Sequence, residues 1–268
     1  GAELPNVWRK LNDPDVSGHY VIRQPSRLLP CEQSGGCPWR CSFCQYTAIR
    51  QSAGLRRYHP GMATPEDNWL SLVIDKPGRY TTALDGFSEA SRRRVNKPIS
   101  DDAIRAKIAT IQSLDLPAAC VIKVYMIVGY PWETAESVTR DIFGLRQVLA
   151  DADAGSGGRV VLMLLVTPFS PEPMTPMQHE PVNLTEWRPV LEQAGRALYW
   201  SDHLEAFVLP QVAGLDTLTR RVAINRCNRG NRHAVRDYIL GRGPVPDGVL
   251  GEWQGYDWLS MPQHEAPP

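Results

Sequence analysis

The chain is short of the features that would place it at once. No apolar run reaches the eighteen or so residues that a membrane span requires. Neither sign of charge is in excess, since Lys+Arg and Asp+Glu are both 29. No net field therefore advertises a nucleic-acid partner, although a local basic patch can act without one. Cysteine is sparse, at 6 residues, and the start shows no signal-peptide pattern. A soluble, cytoplasmic protein is expected, in a compartment where disulfides are scarce. The 6 histidines show no metal-ligand spacing. There is no internal repeat and no low-complexity segment short of the proline-bearing tail, and 268 residues fit one domain with extensions.

What is present gathers in one stretch, Cys37-Pro-Trp-Arg-Cys41-Ser-Phe-Cys44, with Gln45-Tyr46 directly behind it. Iron–sulfur clusters are normally held by four thiolates. Three cysteines spaced C-x3-C-x2-C in one loop can hold three corners of a cubane and leave the fourth iron open for chemistry. A zinc site or a plain electron-transfer cluster is an alternative, but zinc sites usually show a second ligand pair. Here Cys31, Cys120 and Cys227 each stand alone. Six cysteines would also permit disulfides on parity, against the expected compartment.

The rest of the chain alternates strand and helix patterns. Tyr20-Val-Ile22 and Arg27–Pro30 read as short strands, the second feeding the cysteine loop. Trp69–Ile74, Tyr80–Leu84, Cys120–Val128 and Val160–Val166 are apolar runs bounded by turn residues, as buried strands should be. Helices are predicted over 101–114, with Ser100 as N-cap and Ile104, Ile108 and Ile111 on one face, over 135–150 with Val138, Ile142, Leu145 and Leu149 on one face, and over 184–200. Weaker helical patterns cover 218–224 and 234–240. This alternation argues for an α/β fold with a mostly parallel sheet, divided into a lead-in over 1–26, a core over 27–204 and an irregular C-terminal extension over 205–268.

The cysteine spacing, with Phe43 before the third cysteine, resembles the signature of the radical S-adenosylmethionine (radical SAM) superfamily. Two more segments are similar to its cobalamin-binding and methylthiotransferase-type members, Leu84-Asp-Gly-Phe-Ser-Glu-Ala-Ser-Arg-Arg-Arg-Val-Asn-Lys-Pro-Ile-Ser100 and Met126-Ile-Val-Gly-Tyr-Pro-Trp-Glu-Thr134. The exit Val166–Gln178 resembles the same group more weakly. The resemblance implies a shortened partial (β/α) barrel in which Cys37, Cys41 and Cys44 are the catalytic metal ligands of a [4Fe–4S] cluster. Bound SAM would be cleaved there to a 5′-deoxyadenosyl radical that takes hydrogen from a substrate carbon, with electrons from a donor such as flavodoxin or ferredoxin. It further implies that Phe43 and Tyr46 lie beside the cofactor, and that Asp85 and Ser88 face the ribose or methionyl group of SAM. Arg92 or Arg93 would meet its carboxylate, a task that suits the guanidinium fork, and Val128, Gly129 and Pro131 would line the adenine.

The sequence departs from that pattern in two places. No Gly-Gly-Glu-type segment follows the cysteines, and the stretch from Gln45 to Tyr80 is too short for two ordinary strand–helix units. A cobalamin domain is absent from the sequence given. The C-terminal part concentrates Arg220, Arg221, Arg226, Arg229, Arg232, His233, Arg236 and Arg242 with interleaved Asn225, Asn228 and Asn231. It reads either as a grip for phosphates or as a solvated, salt-bridged face. Tyr199, Trp200, Trp253, Tyr256 and Trp258 either cap a pocket or pin the tail to the body. The expected substrate is a nucleoside or nucleic-acid-linked group. An amino acid undergoing rearrangement, as in an isomerase, and a noncatalytic cluster or zinc module are the alternatives. A monomer is expected.

Overall fold

In the computed structural model, which describes residues 41–44, 79–113, 118–173, 175–211, 214–228 and 230–253, five strands share one sheet. They are β1 (Arg79–Ala83), β2 (Cys120–Val128), β3 (Val160–Pro168), β4 (Ala197–Trp200) and β5 (Leu204–Pro210). Their order is β1-β2-β3-β5-β4. β1, β2, β3 and β5 run parallel, and β4 returns antiparallel along β5. The expected α/β class with a mostly parallel sheet is thus observed. The strands predicted over 20–22, 27–30 and 69–74 lie outside the described residues.

Among the described residues six helices accompany the strands: α1 (Glu89–Arg94), α2 (Asp101–Gln112), α3 (Ala135–Ala152), α4 (Trp187–Gln193), α5 (Leu215–Asn225) and α6 (Arg232–Ile239). Local chemistry sets their ends. Ser100 accepts from Ala103 N to start α2, and Thr134 and Ser137 form a reciprocal capping box at the start of α3. The apolar stripes predicted on both helices are buried, Ile104, Ile108 and Ile111 on α2 and Val138, Ile142, Leu145 and Leu149 on α3.

Strand alternation shows where the helices sit. Cys120, Ile122, Val124, Met126 and Val128 of β2 and Val160, Leu162, Leu164 and Val166 of β3 share one core with the buried faces of α2, α3 and α4. All three helices therefore cover the same face of the sheet. On the other face Val121, Lys123 and Ile127 are half-buried, and Tyr125 is 45% exposed.

The single helix expected over 184–200 is instead α4 followed by β4. Gly195, with φ 104°, stops the helix one residue past its cap at Ala194, and Ala197-Leu-Tyr-Trp200 then pairs with β5. The sheet also runs past residue 204, because β5 pairs parallel with β3 in the centre. Glu205 of β5 is buried and is held in an ion pair with Arg159.

Arg226, at the end of α5, organises the C-terminal part from within. The residue is 2% exposed, and its guanidinium donates to the carbonyls of Val249 and Gly251 at 2.7 Å each, of Gln178 at 3.0 Å, and of Glu180. Burial pushes its pKa down to about 10, so it stays charged near neutrality. Arg226→Met strands these carbonyls without a donor. It is expected to lower the unfolding free energy, measured by urea denaturation, by about 3 kcal/mol. A loss below about 0.5 kcal/mol, the size of an ordinary surface change, would show that the carbonyls do not depend on the guanidinium.

Candidate functional site

The described part of the cysteine stretch, residues 41–44, is a turn closed by Cys44 N donating to Cys41 O at 3.1 Å. Ser42 fastens it on both sides. Its N–H donates to Val95 O at 3.0 Å, and its carbonyl accepts from Met177 N at 3.1 Å. The turn is therefore held between the segment that follows α1 and the loop that leaves β3. Cys41 is buried and Cys44 is half-buried. Phe43 packs against buried Val95, Tyr130, Phe169 and Met177, its ring 6.3 Å from that of Tyr130. Cys37 and Tyr46 lie outside the described residues. Among the described residues no group of three or more His, Cys, Asp or Glu side chains could hold a metal. Cys120 opens β2 at the opposite end of the sheet, where burial pushes its thiol up to about 11. Cys227 is exposed beyond α5.

The exit of β1 is cross-tied. Asp85 has φ 58°, in the left-handed region that non-glycine residues seldom enter. Its carbonyl accepts from Tyr130 Oη at 2.8 Å, and its carboxylate pairs with Lys97 Nζ at 2.6 Å in a buried ion pair. Ser88 caps α1 by accepting from Ser91 N at 3.2 Å, and donates to Asp141 Oδ2 on α3 at 2.7 Å. Arg92 is fully buried. Its Nε donates to Ile99 O at 2.7 Å, its Nη1 to Phe87 O at 3.1 Å and Gly86 O at 3.3 Å, and its Nη2 pairs with Asp101. Arg93 is 61% exposed and, among the described residues, pairs with Glu89 at 2.6 Å. Of the two arginines expected to meet a SAM carboxylate, Arg92 would have to abandon bonds that hold the loop, whereas Arg93 would give up one surface pair.

The exit of β2 turns on Gly129 and Glu133. Gly129 has φ 82°, and a Cβ there would lie 2.5 Å from Trp187 Nε1, so the indole of α4 occupies the space a side chain would need. Val128 is buried and Pro131 half-buried beside it. The Glu133 carboxylate turns back to accept from Gly129 N at 2.7 Å, Tyr130 N at 3.1 Å and Ser91 Oγ at 3.2 Å. Burial pushes its pKa up to about 7, against the opposing pull of these donors, with nearby Asp141 adding to the rise. Asn183 Nδ2 donates to Tyr130 O at 3.1 Å and Glu133 O at 2.8 Å and so fixes the same loop from outside. Lys97, Tyr130 and Glu133 received no site role from the sequence. The available signal for Tyr130 and Glu133 was their place in the glycine turn that ends the strongest strand.

The C-terminal basic concentration is largely spent within the fold. Arg226 is internal, and Arg220 pairs with Asp216, Arg221 with Glu172 and Arg236 with Asp237. Arg232 and Arg242 are exposed, and Arg229 lies outside the described residues. Trp253 ties the tail to the body, its carbonyl 2.8 Å from His179 Nδ1 and its N–H donating to His179 O at 3.1 Å. Trp200 is 62% exposed at the sheet edge, and Tyr199 donates to Asp153 Oδ2. Tyr256 and Trp258 lie outside the described residues. No helix among the described residues is long and apolar enough to cross a membrane. Comparison with protein-family models, with curated proteins and with solved structures returns no match to the chain.

Glu133 generates a pH prediction. Its folded pKa of about 7 lies above its ordinary value of 4.5, so between those values the native state holds more protons than the unfolded chain. Stability then falls as pH rises through that window and is most favourable below it. Glu133→Gln does not titrate. Relative to the parent chain it is expected to gain about 2 kcal/mol between roughly pH 5 and pH 8 in parallel denaturation series. A difference between the two proteins that stays constant with pH would contradict this assignment.

Proposed function

We propose that the chain is a radical SAM enzyme built on a shortened partial (β/α) barrel. The observation that carries this reading is the seat of the Cys41–Cys44 turn. It is fastened to the segments that leave β1 and β3 and packs against the first residues beyond β2. Sites in parallel α/β folds gather at that carboxyl end of the sheet. The one-sided helix layer supports the barrel part of the reading, because a barrel wall carries its helices outside and turns its other face inward. Exposed Tyr125 would then face the lumen.

The donor set fits a cluster. Cys41 and Cys44 present two thiol side chains on one turn, and Cys37 would be the third ligand. With a [4Fe–4S] cluster and SAM bound, the site would supply a 5′-deoxyadenosyl radical for hydrogen abstraction from a substrate carbon. The chain's own part is to position and to shield. Phe43, Tyr130, Phe169 and Met177 close an apolar layer beneath the turn that keeps water away from it. Glu133 fixes the backbone of Gly129 and Tyr130, and Lys97 fixes Asp85. Of Arg92 and Arg93, Arg93 could turn to a carboxylate by giving up its surface pair with Glu89. The substrate we assign is a nucleoside or nucleic-acid-linked group, and the electrons come from a flavodoxin- or ferredoxin-type donor.

One observation favours a second reading, that of a noncatalytic cluster-binding relative. Asp85 is neutralised by Lys97, and Arg92 is bound up in the loop, so two side chains assigned to SAM are engaged with protein. Protein reconstituted without oxygen and incubated with SAM and a strong reductant separates the two readings. The enzyme reading expects 5′-deoxyadenosine by mass spectrometry and its loss in Cys41→Ala. A cluster-loaded protein that neither binds SAM by calorimetry nor yields 5′-deoxyadenosine would overturn it.

A further inference from the structure

Beside the cysteine turn, Tyr130 is the base of a stack of flat groups that reaches out to Trp132 and Arg94. The indole of Trp132 lies on the phenol of Tyr130, with centroids 4.9 Å apart and planes 7° apart. The guanidinium of Arg94 lies over the ring of Trp132, 4.0 Å from its centroid. One end of the stack is rigid, because Tyr130 is fully buried and bonded to the Asp85 carbonyl. The other end opens to solvent. Trp132 is half-buried, and Arg94, the last residue of α1, is exposed. Among the described residues no carboxylate lies within ion-pair distance of Arg94, whereas its neighbour Arg93 has Glu89.

The strengths of the competing contacts decide what such an arrangement can do. A solvent-exposed cation–π contact is weak, and a nucleobase stacked on an indole is held roughly tenfold more tightly. A planar heterocycle can therefore compete with the guanidinium for the face of Trp132. The displaced Arg94, which has no carboxylate partner among the described residues, remains within a side chain's reach and is suited to a phosphate on the same ligand. The base and the anion are thus read by two adjoining residues, one that recognises a π face and one that recognises charge. Trp132 and Phe43 pack against the same buried cluster, so the ligand lies next to the cysteine turn.

We propose that Trp132 and Arg94 form a nucleotide-binding subsite, the base stacking on the indole and the phosphate taken by the guanidinium. The subsite stands on the stack itself, and its assignment to substrate rests on the enzyme reading above. That reading also brings a second adenine to the neighbourhood, the one in SAM, and the test distinguishes the two.

Adenosine 5′-monophosphate (AMP) and adenosine are titrated into cluster-loaded, full-length protein by calorimetry, without reductant and with or without saturating SAM. AMP is expected to bind. Trp132→Leu should weaken it about tenfold or more, and Trp132→Phe, which keeps a π face, by about threefold or less. Arg94→Ala should weaken AMP about fivefold and leave adenosine unchanged. AMP affinity that is the same in Arg94→Ala and in Trp132→Phe as in a normally folded Trp132→Leu would overturn the subsite. Competition between AMP and SAM would overturn its assignment to substrate. Because binding is read without turnover, a protein that binds AMP through Trp132 yet makes no 5′-deoxyadenosine would keep the subsite and refute the enzyme reading.

Discussion

The hydroxyl of Tyr130, donating to the Asp85 carbonyl at 2.8 Å, joins the ends of two parallel strands at the point where the cysteine turn docks. Tyr130 has no exposed surface, and burial pushes its pKa well above the ordinary tyrosine value, so it remains a donor. Its ring also meets Phe43, Phe169 and Trp132. One side chain therefore touches the exits of β1 and β2, the exit of β3 and the turn. An unpaired buried phenol would cost more than the net value of its hydrogen bond, and this is why Asp85 is kept in a left-handed conformation that a free loop would avoid. The strain is local, and the gain is a common reference point for segments far apart in sequence.

Support for that point comes from the C-terminal part of the chain. Arg226 holds the carbonyls of Gln178 and Glu180, and Met177, just before them, donates its N–H to Ser42. The helices α5 and α6 thus brace the loop on which the cysteine turn rests. This explains why the basic residues there are largely internal or paired instead of forming one bare cationic face. The clustering of arginines marks a structural use of guanidinium, a group that can satisfy several carbonyls at once.

Much of the fold was legible where a single segment decided its own state. β2 announced itself by nine apolar-rich residues ending in Gly129-Tyr-Pro131, and α2 and α3 by caps and period. Legibility failed where a distant partner decided. Residues 197–200 continued the helical pattern but pair with β5 instead, and β5 was hidden because its buried Glu205 is neutralised by Arg159, 46 residues earlier. The site behaved in the same way. The cysteine spacing and the glycine turn were visible as motifs, and the structure brings residues 41–44, 84–97 and 129–133 together. Arg92 could be read only as a cation available to a ligand. Its use on Ile99 O, Phe87 O and Asp101 is a tertiary fact that no spacing contains.

The central claim is that Cys37, Cys41 and Cys44 hold a cluster with one iron left open to SAM. Electron paramagnetic resonance of the anaerobically reconstituted, reduced protein, recorded before and after addition of SAM, tests it most directly. The account predicts the signal of a reduced [4Fe–4S] cluster whose line shape changes when SAM binds the open iron. A cluster signal indifferent to SAM, or a protein that retains zinc and takes up no iron, would contradict it.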